Sequence, residues 1–238
     1  MNIALIGYGK MGKAIEDIAL QRGHIIALAI DLHNADKFNP ENLAAADVAI
    51  EFTGPDSAFA NIKKALQFGV PVVSGSTGWL DHWDELIAYC EKVNGAFLYA
   101  SNFSIGVNLF FEINKRLAEL MAAQPAYEVT IEETHHTQKR DAPSGTAVSL
   151  ATQVIEKLGR KKRWVSDWAG SPDDLVVTSK RIDPAPGIHT VTYSSAIDDI
   201  EITHTAHNRT GFATGAVLAA EFLKDKKGIF GMKDVLGL

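Results

Sequence analysis

The chain has 238 residues, enough for one large domain or two modest ones, each with its own core. Hydrophobic residues make up 46% and charged residues 22%, and a net charge of -6 leaves no basic surplus for nucleic acid or an anionic membrane. The single cysteine, Cys90, excludes an internal disulfide and a cysteine-built zinc site, and the absence of a signal-like start or of a run near the roughly 20 apolar residues that span a bilayer leads us to expect a cytoplasmic protein.

Asn2 to Ile6 is a short apolar run suited to a strand buried on both faces. Gly7-Tyr8-Gly9-Lys10-Met11-Gly12 follows at once and matches G-x-G-x-x-G. Behind it, Met11, Ile15, Ile18 and Ala19 recur at helical spacing. In such a turn the first glycine permits the tight bend, the second lets the backbone approach a pyrophosphate, and the third lets helix and strand pack closely. The pyrophosphate then lies over a helix N-terminus, where N–H groups and the dipole favour negative charge. A second strand, His24 to Ile30, ends on Asp31. This carboxylate lies 19 positions after Gly12, near the separation expected for a contact with the adenosine ribose.

The alternation continues. Strands are expected at Val48 to Phe52, Val70 to Ser74 and Ala96 to Ala100, with helices at 57–68 and on to Val93. Ligands of open parallel sheets bind beyond the carboxyl ends of the strands. Thr53, the turn from Gly75 through Ser76 and Thr77 to Gly78, and the segment Ser101, Asn102, Phe103 and Ser104 stand at such ends. These loops are therefore candidates to line the nicotinamide half of a dinucleotide, although Gly, Ser, Thr and Asn also suit ordinary turns.

The second half has a different rhythm. A long helix is expected from about Val107 to Ala123, and Tyr127 to Thr134 alternates with the period of a half-exposed strand. Residues 144–158 read as a helix. The stretch 160–174, with Arg160, Lys161, Lys162 and Arg163, reads as a solvated surface loop. Strands follow at Val176 to Ile182, Thr190 to Ser195 and Ile200 to His207, and a last helix at Gly215 to Lys224. The fold expected is α/β: an N-terminal Rossmann-like parallel-sheet domain with a second α+β domain built on a mixed sheet. The boundaries place a dinucleotide-binding domain at 1–106 plus 212–238 and a substrate-binding and oligomerisation domain at 107–211. A sheet with helices on one face only leaves the other face to be covered, so a homo-oligomer, a homotetramer, is expected.

The densest chemistry runs from Glu133 to Ala147. A strand ends in His135-His136, Lys139 follows, and a short turn through Pro143 enters a helix. Pro143 suits a first helical turn. Ser144, Gly145 and Thr146 would then present hydroxyls and N–H groups at a helix N-terminus, an arrangement that binds carboxylate or phosphate. His and Lys supply protons and positive charge. The cluster suits an anionic substrate that must be protonated. The His-His pair lacks a third ligand at recognisable spacing, so no metal is expected.

These residues carry a resemblance. The pattern E-x-H-x-x-x-K-x-D-x-P-S-G-T-A of the dihydrodipicolinate reductase family is met in full by Glu133 to Ala147. Gly9-Lys10-Met11-Gly12 is similar to the family's glycine turn, although the first turn is one residue shorter than is frequent there. Phe52-Thr53, Gly75 to Gly78 and Asn102 to Asn108 look like its cofactor loops, and His204 through Arg209 to Phe212 like its late motif. The resemblance implies an oxidoreductase of lysine and diaminopimelate biosynthesis that reduces a cyclic unsaturated dicarboxylate with NADH or NADPH. It implies His135 and Lys139 as acid candidates, and His136, Lys139, Gly145 and Thr146 as binders of the substrate carboxylates. Because the cofactor motif and the acid cluster fall on different domains, closure of the two domains on the substrate is expected. Asp31 favours NADH, while Lys10 and Lys37 would admit NADPH. Two alternatives stand beside this reading. One is a different amino-acid dehydrogenase of the same fold, such as an aspartate dehydrogenase. The other is a nucleotide-sensing regulator, which would have no use for the His-Lys cluster.

Overall fold

The computed structural model describes residues 1–208 and 210–238; Arg209, implied as a cofactor residue by the late motif, lies outside the described residues. In chain order the elements are β1 (Asn2–Ile6), α1 (Lys10–Gln21), β2 (Ile25–Ile30), α2 (Pro40–Leu43), β3 (Val48–Glu51), α3 (Pro55–Gln67), β4 (Val72–Ser74), α4 (Trp83–Lys92) and β5 (Ala96–Tyr99). They continue with α5 (Ile105–Met121), β6 (Glu128–His135), α6 (Gly145–Leu158), β7 (Arg163–Ser166), β8 (Asp174–Arg181), β9 (Gly187–Ser194), β10 (Asp199–Ala206), α7 (Thr210–Leu223), β11 (Gly228–Phe230) and α8 (Met232–Leu236). The chain divides into two compact units, Met1–Asn108 with Thr210–Leu238, and Leu109–Arg209.

The first unit is a six-stranded parallel sheet in the order β11-β5-β4-β3-β1-β2. Because successive side chains of a strand point to opposite faces, each strand feeds two cores. Ile3 and Leu5 join Ile15 and Ala19 of α1 and the small-residue face of α7 on one side. Ala4 and Ile6 join Ala58 and Ile62 of α3 and Leu86 and Cys90 of α4 on the other. This two-sided burial is why the strands read as continuous apolar runs. The strand order turns about β1, which has β2 on one side and β3 on the other, so the crevice beyond the carboxyl ends of β1 and β3 is the topological switch point. The three-residue β11, paired with β5, and the short α2 and α8 escaped the sequence reading; elements this short carry no measurable period.

The second unit is a five-stranded mixed sheet in the order β10-β9-β6-β8-β7. β6 and β7 run parallel to β8, while β9 is antiparallel to both β6 and β10. Phe110, Ala118 and Met121 of α5 and Leu150, Ala151, Val154 and Leu158 of α6 cover one face, against Val129, Ile131, Leu175, Val177, Val191 and Tyr193.

The stretch 160–174 is only in part the solvated loop expected: most of 162–170 is exposed, but Arg163–Ser166 form β7, and Lys161 and Asp174 are buried. Lys161 is only 3% exposed, and its ammonium donates to the carbonyls of Pro172 and Asp174, each at 2.8 Å, and to Glu128. Three acceptors satisfy its three N–H bonds, which is what allows a lysine to be buried. Arg160 donates to the carbonyls of Met121 and Tyr127 at 3.0 and 2.7 Å. Arg163 opens β7 and pairs with the buried Asp174 at 2.7 Å. Lys162 and Arg163 keep mostly exposed side chains, paired with Asp173 and Asp174, while Arg160 and Lys161 turn to acceptors at Met121, Tyr127, Glu128, Pro172 and Asp174.

Candidate active site

The glycine turn joins β1 to α1, and each of its three glycines meets a different constraint. Gly7 takes φ +97°, a left-handed conformation, and a Cβ there would overlap the carbonyl of Phe52. A Cβ on Gly12 would overlap the carbonyl of Gly7. At Gly9, by contrast, nothing stands within 4 Å of the place a Cβ would take. Gly9 is also the N-cap of α1, with no side-chain cap. Two glycines are thus closed by the protein itself, and the third faces open space at an uncapped helix N-terminus. That cradle fits a dinucleotide pyrophosphate. At the end of β2, Asp31 accepts from the N–H of His33 at 2.7 Å, and its own N–H donates to Asn34 at 2.7 Å, which fixes the loop that carries the carboxylate.

The loops beyond β3 and β4 are tied together by a buried carboxylate. Glu51, the last residue of β3, is 0% exposed. It accepts from the N–H of Thr53 at 2.8 Å, from Ser76 Oγ at 2.9 Å, from Ser74 Oγ at 2.5 Å and from the Thr53 hydroxyl. The N–H of Thr53 also lies 2.9 Å from Ser76 Oγ. The Phe52 and Phe103 rings pack 5.6 Å apart, and a Cβ on Gly75 would strike the Phe52 ring.

In the second unit, the helix-facing side of the sheet changes character within two residues. Val177, Ile131 and Val191 are neighbours across β8, β6 and β9. One step further along β6, the corresponding row is Ser179, Glu133 and His189, and the next brings His135 beside Arg181. The apolar core ends there and a buried polar cluster begins. Glu133, at 0% exposure, accepts from the N–H of Ser144 (3.0 and 3.1 Å to its two oxygens), from Ser179 Oγ (2.9 Å) and from Arg181 Nη2 (3.1 Å). His135 Nδ1 lies 3.3 Å from Oε2, at ion-pair distance but off the angle of a hydrogen bond. His189 Nε2 lies 3.7 Å from the same oxygen and 3.1 Å from Ser144 Oγ.

Burial pushes the Glu133 carboxyl up, but the His135 ring and the donors Ser144, Ser179 and Arg181 outweigh it and hold the group well below the usual carboxylate range. Burial, and then the neighbouring His135, push His189 down to about 4, so it is neutral at pH 7. The ligand atoms of Glu133, His135 and His189 come within 4.8 Å of one another. Two His and a Glu can bind zinc, but here protein donors, one of them the Arg181 cation, already engage this carboxylate.

Two family descriptions match the chain: "Dihydrodipicolinate reductase, N-terminus" over residues 1–103 and "Dihydrodipicolinate reductase, C-terminus" over residues 106–236. The chain belongs to the dihydrodipicolinate reductase family. It is 52% identical over 238 residues to the 4-hydroxy-tetrahydrodipicolinate reductase of Christiangramia forsetii, covering 99% of this chain and 98% of that one. It is 34% identical over 267 aligned positions to the enzyme of the same name from Cupriavidus pinatubonensis, covering the whole of both. Among solved structures, dipicolinate-bound dihydrodipicolinate reductase from Paenisporosarcina sp. TG-14 has the same fold, with a TM-score of 0.78 at 23% identity and 98% of each chain covered. Aspartate dehydrogenase from Thermotoga maritima shares the fold less closely, with a TM-score of 0.52 at 14% identity, covering 95% of this chain and 97% of that one. No helix of the described residues is long and apolar enough to cross a membrane.

In this reductase-family chain, Gly7, Gly9, Lys10, Met11 and Gly12 form one turn, with Gly9 and Lys10 exposed. Thr53 and Thr77 are exposed, Ser76 is turned inward to Glu51, and Ser101 and Asn102 lie within the loop between β5 and α5. Phe103 is 2% exposed, so its side chain belongs to the core.

In the second unit, Lys139 is half-buried and paired with Asp141 at 2.8 Å. His136 is half-buried, and its carbonyl accepts from the N–H of Lys139. Two expectations change at α6. Pro143 is not in its first turn: Ser144 is the N-cap and Gly145 the first helical residue. Ser144, expected to meet substrate, points inward. Its hydroxyl accepts from the N–H of Ala147 and faces His189, while its own N–H is spent on Glu133. Gly145, exposed, and Thr146, half-buried, are left at the helix end. Glu51, Ser179, Arg181 and His189 are not among the residues that the sequence motifs single out. An acid in an otherwise apolar strand, as at Glu51, was the one signal available for the first; the others are recognisable only by strand register.

Proposed function

We propose that this chain reduces 4-hydroxy-tetrahydrodipicolinate, or its dehydrated form dihydrodipicolinate, to tetrahydrodipicolinate with NADH or NADPH. The step would serve lysine and diaminopimelate biosynthesis in the cytoplasm. The observation that carries the reading is the passage from β6 to α6. There the side chains of His135 and Lys139 lead through a tight turn to a helix N-terminus at Gly145 that is open to solvent. A dicarboxylate bound by a relative of the same fold supports a dicarboxylate site in this chain.

From dihydrodipicolinate the reduction adds one hydride and one proton to the ring; from the 4-hydroxy form one water is also lost. When bound, the nicotinamide supplies the hydride. The first unit's part is to hold the dinucleotide: Gly7, Gly9, Lys10, Met11 and Gly12 at the pyrophosphate, Asp31 at the ribose, and Phe52, Thr53, Gly75, Ser76, Thr77, Ser101, Asn102 and Phe103 around the nicotinamide end. Arg209 stays with them on the family resemblance alone. The second unit's part is to hold the anion and donate the proton. His136, Lys139 and the Gly145–Thr146 backbone receive the carboxylates, where a cation and helix N–H groups complement their charge. His135 or Lys139 donates the proton.

A homotetramer built through the second unit completes the reading. Away from α5 and α6 the sheet surface is polar, with Thr190 and Thr203 bonded at 3.1 Å and Glu132 paired with Lys180 at 2.7 Å. The apolar surface suited to association lies instead along α5, where Ile113, Leu117 and Leu120 line a groove of about 420 Å³ with Ile200 and Ile202 of β10. Light scattering that returned only monomer would remove this part.

The test of function is a coupled assay. Dihydrodipicolinate synthase, pyruvate and aspartate semialdehyde generate the substrate in place, and nicotinamide absorbance is followed with NADH and NADPH in turn. Enzyme-dependent loss of absorbance is expected, and the ratio of the two kcat/KM values gives the cofactor preference. Turnover of aspartate in place of this substrate would overturn the reading.

A further inference from the structure

Burying a carboxylate costs several kcal/mol unless partners compensate, and a whole buried ion pair can often be exchanged for apolar residues at no loss of stability. Glu133 occupies such a position: the preceding inward-facing residues of β6, Val129 and Ile131, are apolar and packed. An acid thus interrupts an apolar row, and its partners indicate what it does. Oε1 takes Ser179 and Arg181, both from β8, and the Ser144 N–H is shared between the two oxygens. Oε2 is left facing the two imidazoles, with His135 Nδ1 the nearer at 3.3 Å. One anion thus anchors the N-cap of α6 and turns its remaining oxygen to His135. On the other edge of the His135 ring, the space is kept by Gly187, where an added Cβ would stand 3.1 Å from Nε2.

Resting on the function proposed above, we infer that Glu133 is a positioning residue. Its buried carboxylate holds Nδ1 of His135 inward, so that Nε2 is the nitrogen presented for chemistry, and pins the first turn of α6 that receives the substrate carboxylate. The carboxylate touches no substrate; it acts through His135 and Ser144. The carboxylate also favours the tautomer that carries its proton on Nδ1, so that Nε2 is the nitrogen that takes up and passes on a proton.

The experiment uses the full chain and E133Q, with histidine labelled in the ring with 15N. Because three donors converge on the Oε1 side, the carbonyl of the introduced amide takes that side and its NH2 group turns to His135. A ring nitrogen facing that group must accept rather than donate. The expected results are a change of the His135 Nδ1 signal from protonated to unprotonated, a kcat lower by about a hundredfold, the scale of a lost acid group, and a KM for NADH within about twofold. An unchanged Nδ1 signal, or an unchanged kcat, in folded E133Q overturns the inference. Wild-type protein without turnover in the coupled assay overturns the proposed function instead, and the ring signals still decide the role of Glu133. If E133Q does not fold, E133D, which keeps the charge but withdraws it by one methylene, takes its place. A tenfold or greater fall in kcat at constant KM for NADH is then expected, and wild-type kcat refutes the role.

Discussion

Gly9→Ala and Gly12→Ala should have opposite consequences, although the two residues are three positions apart in one turn. At Gly9 the backbone is extended, with φ -84° and ψ -154°, and the added methyl meets no atom within 4 Å. Stiffening the unfolded chain stabilises by about 0.4–1 kcal/mol, and replacing Gly by Ala at an N-cap costs a similar amount. The net change is within about 1 kcal/mol, less than about 4 °C in Tm for a chain of this size. The methyl nevertheless occupies the open side of the cradle, where the pyrophosphate is proposed to lie. A Kd for NADH raised at least about tenfold is expected, equivalent to about 1.4 kcal/mol. At Gly12 the methyl would overlap the Gly7 carbonyl, which is backbone and cannot rotate away. Overpacking then costs about 3 kcal/mol, at the upper end of its usual range, or about 6–12 °C in Tm. Thermal melts and NADH fluorescence titrations of both variants separate the effects. Equal losses of Tm, or NADH affinity unchanged in Gly9→Ala, would refute the assignment of Gly9 to the cofactor and Gly12 to packing.

Three further outcomes are expected. Lys139→Ala should lower turnover at least about a hundredfold, whereas Asp141→Asn, which removes the partner at 2.8 Å but keeps the cation, should cost less than about tenfold; equal losses would mean that the ion pair rather than the lysine matters. Glu51→Gln should raise KM for NADH while KM for the dicarboxylate stays constant, because it loosens only the loops of Thr53 and Ser76; a rise confined to the dicarboxylate would contradict this. The folded state holds His189 at about 4 against 6.5 unfolded, so its contribution is present above pH 6.5 and lost as pH falls towards 4. That loss is worth up to about 3 kcal/mol, and Glu133, depressed further, extends it at more acid pH. Denaturant melts at pH 7 and pH 4.5 should lose less stability in His189→Asn than in wild type, and parallel losses would show that His189 does not titrate with folding.

Local signals in the sequence determined a good deal about this protein. The apolar runs of β1 and β3, the period of α1 and the spacing of Gly7, Gly9 and Gly12 specify a nucleotide fold, because each is a property of neighbours within one turn or strand. The cluster from His135 to Thr146 was legible for the same reason. Tertiary structure decided what those residues do. Ser179 and Arg181 reach Glu133 from 46 and 48 residues away, and His189 meets Ser144 across 45. Those distances along the chain are bridged by sheet register, which no local pattern encodes. The same physics turned Ser144 from an expected substrate contact into a cap, and buried Lys161 in a run of charge that looked solvated. A polar side chain's role depends on which partners the fold brings to it, and for Glu51 and Glu133 every partner beyond the adjacent turn came from another strand or loop.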